Sequence, residues 1–438
     1  MLDIKYIRDN AELVKAAVKN KNKHVDVDRL LALDEDRRKL ITEVELKRAE
    51  QNAVGEKIAT EKDAGAKAQA IEQMRTLKDV LKQAEAALEI ILAEYNTLIG
   101  DLPNVPFADV PIGKDESENV IRKRVGEPTK FDFEPKDHVE LGKALDIIDS
   151  ETAAEVTGSR FVYLKGDLVL LQYALQQYVM SIITNRNVLR SIIDDAKLDL
   201  PDTPFTPVIP PLMIRPEIFA RMARLEPKEE RYHIPSDDLY LIGSAEHTLG
   251  PIHMDQILRE NDLPLRYAAL TAAFRREAGS YGRDVQGIIR QHQFDKIEME
   301  SFCLPDQSRS EQDLIVAIQE HILQALKVPY QVMDICTGDM GTPDARQIDI
   351  ECWVPAQNTY RETHTSDLMT DYQSRRLNTR VRRNSGDMEY VHMNDATALA
   401  MGRILVVIME NYQRADGTIE VPEALHPYMF GRTVIGQR

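Results

Sequence analysis

Only three cysteines occur in the 438 residues, Cys303, Cys336 and Cys352, and none stands at CxxC spacing from another. That excludes a disulfide framework and a cysteine-rich zinc site, and it fits a reducing compartment. No GxGxxG opens a βαβ unit and no GxxxxGK[ST] occurs, which excludes a Rossmann or P-loop nucleotide site. The first residues, MLDIKYIRDN, carry charge and no apolar run, so no secretory signal is expected. The apolar run ILVVIM near the end is far short of a membrane span. A basic excess is also lacking. With 55 Lys and Arg against 72 Asp and Glu, the net charge is −17, so a polyanion could bind only through local basic patches. These absences point to a soluble, cytoplasmic protein with no membrane partner. A hydrophobic fraction of 43% against 29% charged residues is that of a folded globular chain, long enough for two or three domains.

What is present begins with two long helical patterns. Leu30, Leu33, Leu40, Val44, Val54 and Ile58 recur at three- and four-residue steps, interrupted at Arg37, Lys47 and Gln51. After KDAGAK, Ile71, Met74, Leu77, Leu81, Ala84, Leu88, Ile91, Tyr95 and Leu98 do the same. The spacing predicts an antiparallel coiled-coil hairpin within a domain over 1–100, each arm on the order of 45 Å long. A hairpin with so little core beyond its seam should project. Dimerisation, spacing and partner binding all remain open for it on this pattern alone. The Pro-rich, polar run from Asp101 reads as a linker over 101–130. From 131 to 438, helices alternate with β-rich runs such as FVYLKG, LRYAALTAAF and ARQIDIECWVPA, and short connections favour antiparallel pairing. The fold class is α+β, an antiparallel sheet flanked by helices. The segment Ala396–Gln413 is apolar nearly all round except for Arg403, Glu410 and Asn411, and reads as a buried last helix. Arg403 there needs an anionic partner or a route to water.

The stretch FRREAGSYGRDVQGIIRQHQFDKIEME, 274–300, carries the chemistry. Arg275 and Glu277 share a parity before a glycine-bearing loop; Arg290, His292, Phe294, Lys296 and Glu298 share one after it. In extended strands each set would lie on one face. Two faces joined by a hairpin through AGSYGRDVQG would present arginines, an aromatic ring and carboxylates together. Arginine forks phosphate oxygens, a ring stacks on a base, and carboxylates accept from amines and hydroxyls. Each residue alone has a plainer reading: Phe294 as core, the charges as solvated surface. His253, His292 and His364 stand at no metal-ligand spacing with the cysteines, so no zinc is expected. Trp353 reads as core or interface packing.

This stretch resembles motif 2 of the class II aminoacyl-tRNA synthetases in their seryl form. TPVIPP, Thr206–Pro211, is similar to motif 1, and GRILVVIMENYQRADGTIEVPEALHPYM to motif 3 with its tail. KFDFEPKDHVELG and GSRFVYLKG also fit, so the resemblance spans the chain, hairpin included. It implies a class II-type antiparallel sheet and an ATP-dependent, AMP-forming serine–tRNA ligase. By resemblance, Arg275 holds the α-phosphate, Glu277 the adenine amino edge, and Arg290 the distal phosphates. Phe294 and Arg403 enclose adenine, with Arg276, Thr363 and His364 among the ATP contacts. Glu362 and Thr365 bridge Mg²⁺ to ATP. Ser244, Ala245, Glu246, Glu298 and Thr397 fall at serine-binding positions, and Arg275, Glu277, Arg290 and Arg403 are the residues implied to be catalytic. The sequence departs from the pattern at several of these places. Ser244 replaces a threonine, HTLGPIH (His247–His253) replaces Val-Pro-Leu-Thr, and THTSDLMT replaces Ser-Ser-Cys-Ser-Asn-Cys. Asp395 stands at an asparagine position and Thr397 at a serine one.

The resemblance further implies a homodimer whose hairpin on one subunit grips the long variable arm of tRNA(Ser) docked on the other, with tRNA(Sec) as a further acceptor. Arg37, Arg38, Lys47, Arg48, Lys57, Arg75, Lys78 and Lys82 line the hairpin but alternate with acids, so shape should count for more than charge. Two rivals stay in view: a catalytically silent binding paralogue, and a ligase that charges a carrier protein and would lack the arm.

Overall fold

In the computed structural model, which describes residues 1–278 and 286–436, the chain divides into two units, Met1–Val105 and Pro106–Arg438. Capping side chains start the helices of the first unit. Asp3 caps α1 (Ile4–Asp9), ahead of α2 (Ala11–Asn20); Asp26 caps α3 (Val27–Thr60) and Asp63 caps α4 (Ala64–Asp101). At about 1.5 Å per residue, the 34 and 38 residues of α3 and α4 are about 51 and 57 Å long, more than the spacing alone suggested. The turn is also tighter than KDAGAK implied. Asp63 accepts from the Ala66 N–H at 2.7 Å, which draws Gly65 into the first turn of α4.

The seam is formed by Val44 against Leu81, Ala84 and Leu88, and by Val54 and Ile58 against Ala70, Met74 and Leu77. Ile71 is 52% exposed and Ala70 takes the seam instead. Arg37, which interrupts the apolar pattern, is absorbed by it. Its guanidinium lies 4.7 Å from the Tyr95 ring centre and donates to the buried Asp34 at 2.7 Å. Arg29–Glu94 and Arg48–Glu85 tie the two helices at 2.6 and 2.7 Å.

The second unit is organised by an eight-stranded sheet. Its strands are β1 (Val120–Val125), β2 (Thr206–Val208), β3 (Leu265–Phe274), β4 (Gln293–Cys303), β5 (Tyr330–Asp334), β6 (Arg346–Val354), β7 (Thr359–Thr370) and β8 (His392–Ala400). The spatial order is β1-β5-β6-β7-β8-β4-β3-β2, antiparallel throughout except for the β2–β3 edge pair. One face carries Ile297, Met299, Ile348, Ile350, Ala396 and Ala398. It is covered by α5 (Asp167–Ile183), α6 (Ser308–Ala325) and α7 (Met401–Asn411) in one apolar core. The other face is polar and holds the site.

Two elements differ from the reading of the sequence. Val120–Val125 lies in the expected linker yet pairs as an edge strand; its VIRKRV face is exposed, and charges on an edge conceal a strand. The last helix begins at Met401, because 396–400 belong to β8. Met393 to Leu399 are buried on both faces between β4 and β7, so alternation gave no signal there. Glu410 of α7 is fully buried, accepting from the backbone N–H of His138 and of Ala356 at 3.1 and 3.0 Å. Among the described residues no helix is long and apolar enough to cross a membrane.

Candidate active site

Cross-strand register lays the polar face out in rows. Asp349 of β6 faces Thr365 of β7, and Thr397 of β8 faces Glu298 of β4. In the next row Asp367, Asp395 and Glu300 are neighbours on β7, β8 and β4. A break in the β6–β7 register between Ile350 and Glu351 leaves Thr363 as an extra residue. That bulge turns Glu362 and Thr365 to the same side although they are three apart. Thr365 Oγ1 donates to Glu362 Oε1 at 3.3 Å.

A cavity of about 480 Å³ opens over these rows. Of the residues expected there, Arg275, Glu277, Arg290, Phe294, Glu362, Thr363, Thr365, Arg403, Ser244, Glu246 and Thr397 line it. The local backbone is not the two clean strand faces that parity predicts. β3 ends at Phe274 and β4 starts at Gln293, so Arg275, Glu277, Arg290 and His292 all lie beyond the strands. The ladder reaches one pair further, Arg275 N–H donating to His292 O at 3.0 Å. Glu277 then takes φ +52°, a left-handed conformation that ends the alternation. The turn expected between them falls on 279–285, outside the described residues.

Arg275 Nε donates to Gly243 O at 3.0 Å, and its guanidinium stands 5.5 Å from the Phe294 ring centre. Arg290 Nη1 meets Glu277 Oε2 at 2.6 Å. Arg403 finds the anion its helix required: Nη1 lies 2.9 Å from Glu362 Oε1 and donates to Glu362 O at 2.8 Å. Gly402 beside it permits a close approach, since a Cβ would sit 2.5 Å from Ile288 O on the segment leading to Arg290.

Four expected residues do not reach the cavity wall. Arg276 alternates away from Arg275, its N–H donating to Glu230 O at 3.1 Å and its guanidinium 5.6 Å from the Tyr232 ring centre. His364 is fully buried, its Nδ1 2.8 Å from Thr363 Oγ1. Ala245 is buried and gives its N–H to Glu298. Glu298, 1% exposed, sits behind the wall, held by Lys296 and by the N–H groups of Ala245 and Glu246.

Other wall residues went unforeseen: Arg224, Arg231, His247, Lys296 and Asp367. Lys296 shares the parity of Phe294 and Glu298, so its signal was present. Arg224 and Arg231 come from RMARLEPKEER, indistinguishable in sequence from a solvated loop. Arg224 donates to Glu246 at 2.8 Å and lies 3.7 and 3.6 Å from Asp344 and Asp367. Burial opposes its charge, but Glu246, Asp344 and Asp367 hold its pKa well above the ordinary value. Arg231 is pushed down to about 10 by burial, then by Arg275 and Arg224. Burial, with Arg231 and Arg224 nearby, holds His247 well below the imidazole range; Gly243 N–H donates to its Nδ1 at 3.1 Å, leaving the proton on Nε2. Burial drives the Asp349 carboxyl well up, and the charge of Glu362 drives it further. At Glu362 burial is outweighed by Arg403, Arg275 and Lys296, which keep it ionised.

The cavity wall carries guanidinium groups and an aromatic ring together with carboxylates and hydroxyls, and the Arg290–Glu277, Arg403–Glu362 and Arg224–Glu246 pairs set opposite charges side by side. It suits an anionic nucleotide beside a small amino compound. Comparison with known proteins agrees. The family model described as the tRNA synthetase class II core domain (G, H, P, S and T) matches residues 230–412, and the seryl-tRNA synthetase N-terminal domain matches 1–106. A serine–tRNA ligase of Rubrobacter xylanophilus is 40% identical over 441 residues, covering 100% of this chain and 99% of the relative. One from Trichlorobacter lovleyi is 40% identical over 434 residues, covering 98% and 99%. The crystal structure of seryl-tRNA synthetase from Pyrococcus horikoshii complexed with ATP superposes with a TM-score of 0.88 at 34% identity, covering 99% of each chain. A prolyl-tRNA synthetase from Giardia lamblia, 11% identical over 66% of this chain and 54% of its own, shares the fold at a TM-score of 0.54. Whole-length identity, both domain matches and the fold agree: the chain belongs to the seryl-tRNA synthetase family and is an aminoacyl-tRNA ligase.

Proposed function

We propose that this chain activates L-serine with ATP to seryl-adenylate and passes the seryl group to the 3′ end of tRNA(Ser), with tRNA(Sec) as a further acceptor. One observation carries the reading: Arg275, Glu277, Phe294, Glu362 and Arg403 converge on a single cavity that Glu246 and Thr397 also line. The serine carboxylate attacks the α-phosphorus in line and pyrophosphate departs. No proton need be removed, so the protein's part is positioning and charge stabilisation. Arg275, braced by Gly243 O, holds the α-phosphate; Arg290 takes the distal phosphates; Glu277 accepts from the adenine amino group. Phe294 and Arg403 enclose the base. Glu246 receives the α-ammonium, and Thr397 with the neighbouring carboxylates hydrogen-bonds the hydroxyl. A site that pairs a substrate hydroxyl discriminates strongly against an analogue lacking one.

Glu362 and Thr365 are the proposed Mg²⁺ contacts, with Asp349 beside them. Burial and the charge of Glu362 push the Asp349 carboxyl up, as expected of carboxylates lacking enough cations, and these oxygen donors fit a hard dication. When bound, Mg²⁺ would neutralise charge on the triphosphate. Ile209, 95% exposed within Thr206–Pro211, supports a homodimer covering that edge. The hairpin α3–α4 is the proposed tRNA arm, and Lys57, Lys78 and Lys82 on it are exposed. Its presence disfavours the carrier-protein ligase, and convergence of the site disfavours the silent paralogue.

The test is charging of tRNA(Ser) with labelled serine by the full chain and by a chain lacking residues 30–98. The full chain should charge tRNA; the shortened one should still form adenylate but leave tRNA uncharged. No charging by the full chain contradicts the function, and equal loss of both steps in the shortened chain contradicts the role of the arm.

A further inference from the structure

The amino-acid end of the cavity gathers more carboxyl groups than the cations paired with them. Asp367, Asp395 and Glu300 are direct cross-strand neighbours, and Glu246 and Asp344 reach the same corner through Arg224. Among the described residues, Arg224 pairs with Glu246, Asp344 and Asp367, and Lys296 holds Glu298. Asp395 has no ion pair among the described residues. It is 6% exposed and lines the cavity, and its Oδ1, itself shielded from solvent, has no hydrogen-bond partner among the described residues. Thr397, two residues along β8, sets a hydroxyl on the same cavity wall.

A buried carboxylate without a cation is costly, and a charge-assisted hydrogen bond relieves more of that cost than a neutral one. A serine hydroxyl donates one hydrogen and brings no charge, whereas an ammonium donates three and brings one. Resting on the reading of this cavity as the amino-acid site, we propose that the chain also activates 2,3-diaminopropionate, the β-amino analogue of serine, with Asp395 as the partner of its side-chain ammonium. The bonds made and broken are those of serine activation. The α-carboxylate oxygen bonds the α-phosphorus of ATP, and the bond to the bridging oxygen breaks, releasing pyrophosphate with the electron pair.

The test is exchange of labelled pyrophosphate into ATP by the full chain, with serine, 2,3-diaminopropionate or alanine, in wild type and in Asp395→Asn. The diamino acid should support exchange above the alanine level. Asp395→Asn should lower the ratio of its kcat/KM to that of serine by about tenfold or more, the equivalent of about 1.4 kcal/mol. Because the ratio is read within one variant, partial loss of folded protein cancels; if that variant is inactive with both, the wild-type comparison with alanine decides. Exchange with serine but not with the diamino acid overturns the proposal and leaves the seryl reading standing. Exchange with the diamino acid alone supports the proposal and counts against serine as substrate. A ratio unchanged in Asp395→Asn overturns the assignment of Asp395, and no exchange with either amino acid overturns both readings.

Discussion

The Arg290 guanidinium and the Glu277 carboxylate meet at 2.6 Å, although thirteen positions separate them and neither lies on a strand. The proposed function assigns these two groups to opposite ends of a nucleotide, yet here they are each other's partner, so on that reading binding exchanges one charge contact for another. Arg290→Ala should therefore act chiefly on nucleotide binding. The expected result is a rise in the KM for ATP of about ten- to a hundredfold, the size of a lost charge-assisted bond, with a smaller change in the KM for serine. Steady-state pyrophosphate exchange with each substrate varied separates the two; an equal rise in both would contradict the assignment.

Arg275 differs, because Gly243 O already orients it. Arg275→Ala should lower the rate of adenylate formation by on the order of 10²–10³, about 3–4 kcal/mol for loss of a preorganised charge partner. Single-turnover kinetics at saturating ATP and serine check this, and an unchanged rate would remove Arg275 from the site.

Much of this site was legible because spacing in sequence maps onto sheet register. Phe294, Lys296 and Glu298 alternate on β4, as period two requires. Where backbone irregularity does the positioning, the pattern was silent or misleading. The bulge at Thr363 brings Glu362 and Thr365 together, and φ +52° at Glu277 breaks the extended backbone that parity assumed, although Glu277 still lines the same cavity as Arg275. Motif resemblance supplied those positions where periodicity could not. Arg224 and Asp367 escaped both, since an arginine in a charged loop and an aspartate in a mixed strand acquire their roles only through contacts between distant segments. The helical hairpin was legible for the opposite reason: its contacts repeat every three or four residues along one seam.

Away from the site, Arg266 and Glu311 form a fully buried pair with contacts of 2.9 and 2.6 Å, and Arg266 also donates to Pro201 O and Thr203 O. Removing one partner strands a buried charge. Arg266→Ala should cost ~3–5 kcal/mol of stability, read by denaturant unfolding. A loss below about 1 kcal/mol would contradict the account of this pair.

Glu300 carries the reverse liability. It is fully buried, and no hydrogen-bond partner among the described residues reaches either carboxylate oxygen. Burial, then the charges of Asp395, Glu246 and Glu298, raise its pKa well above the ordinary value. An acid raised in the folded state favours folding when protonated, so its contribution is present below the unfolded pKa near 4.5 and is lost as pH rises through the folded pKa. Glu300→Gln should therefore stabilise the protein at pH 7.5, by on the order of 1–3 kcal/mol, and the gain should shrink as pH falls toward 4.5. Unfolding curves at both pH values check this; a variant less stable than wild type at pH 7.5 would contradict it.

The most direct measurement is rapid mixing of the chain with serine and ATP labelled at the α-phosphate, followed by acid quench and separation of products. Serine-dependent formation of a protein-bound aminoacyl-AMP anhydride, with pyrophosphate as the other product, is the expected result. Label recovered only as unreacted ATP, or as ADP, would contradict activation at this cavity.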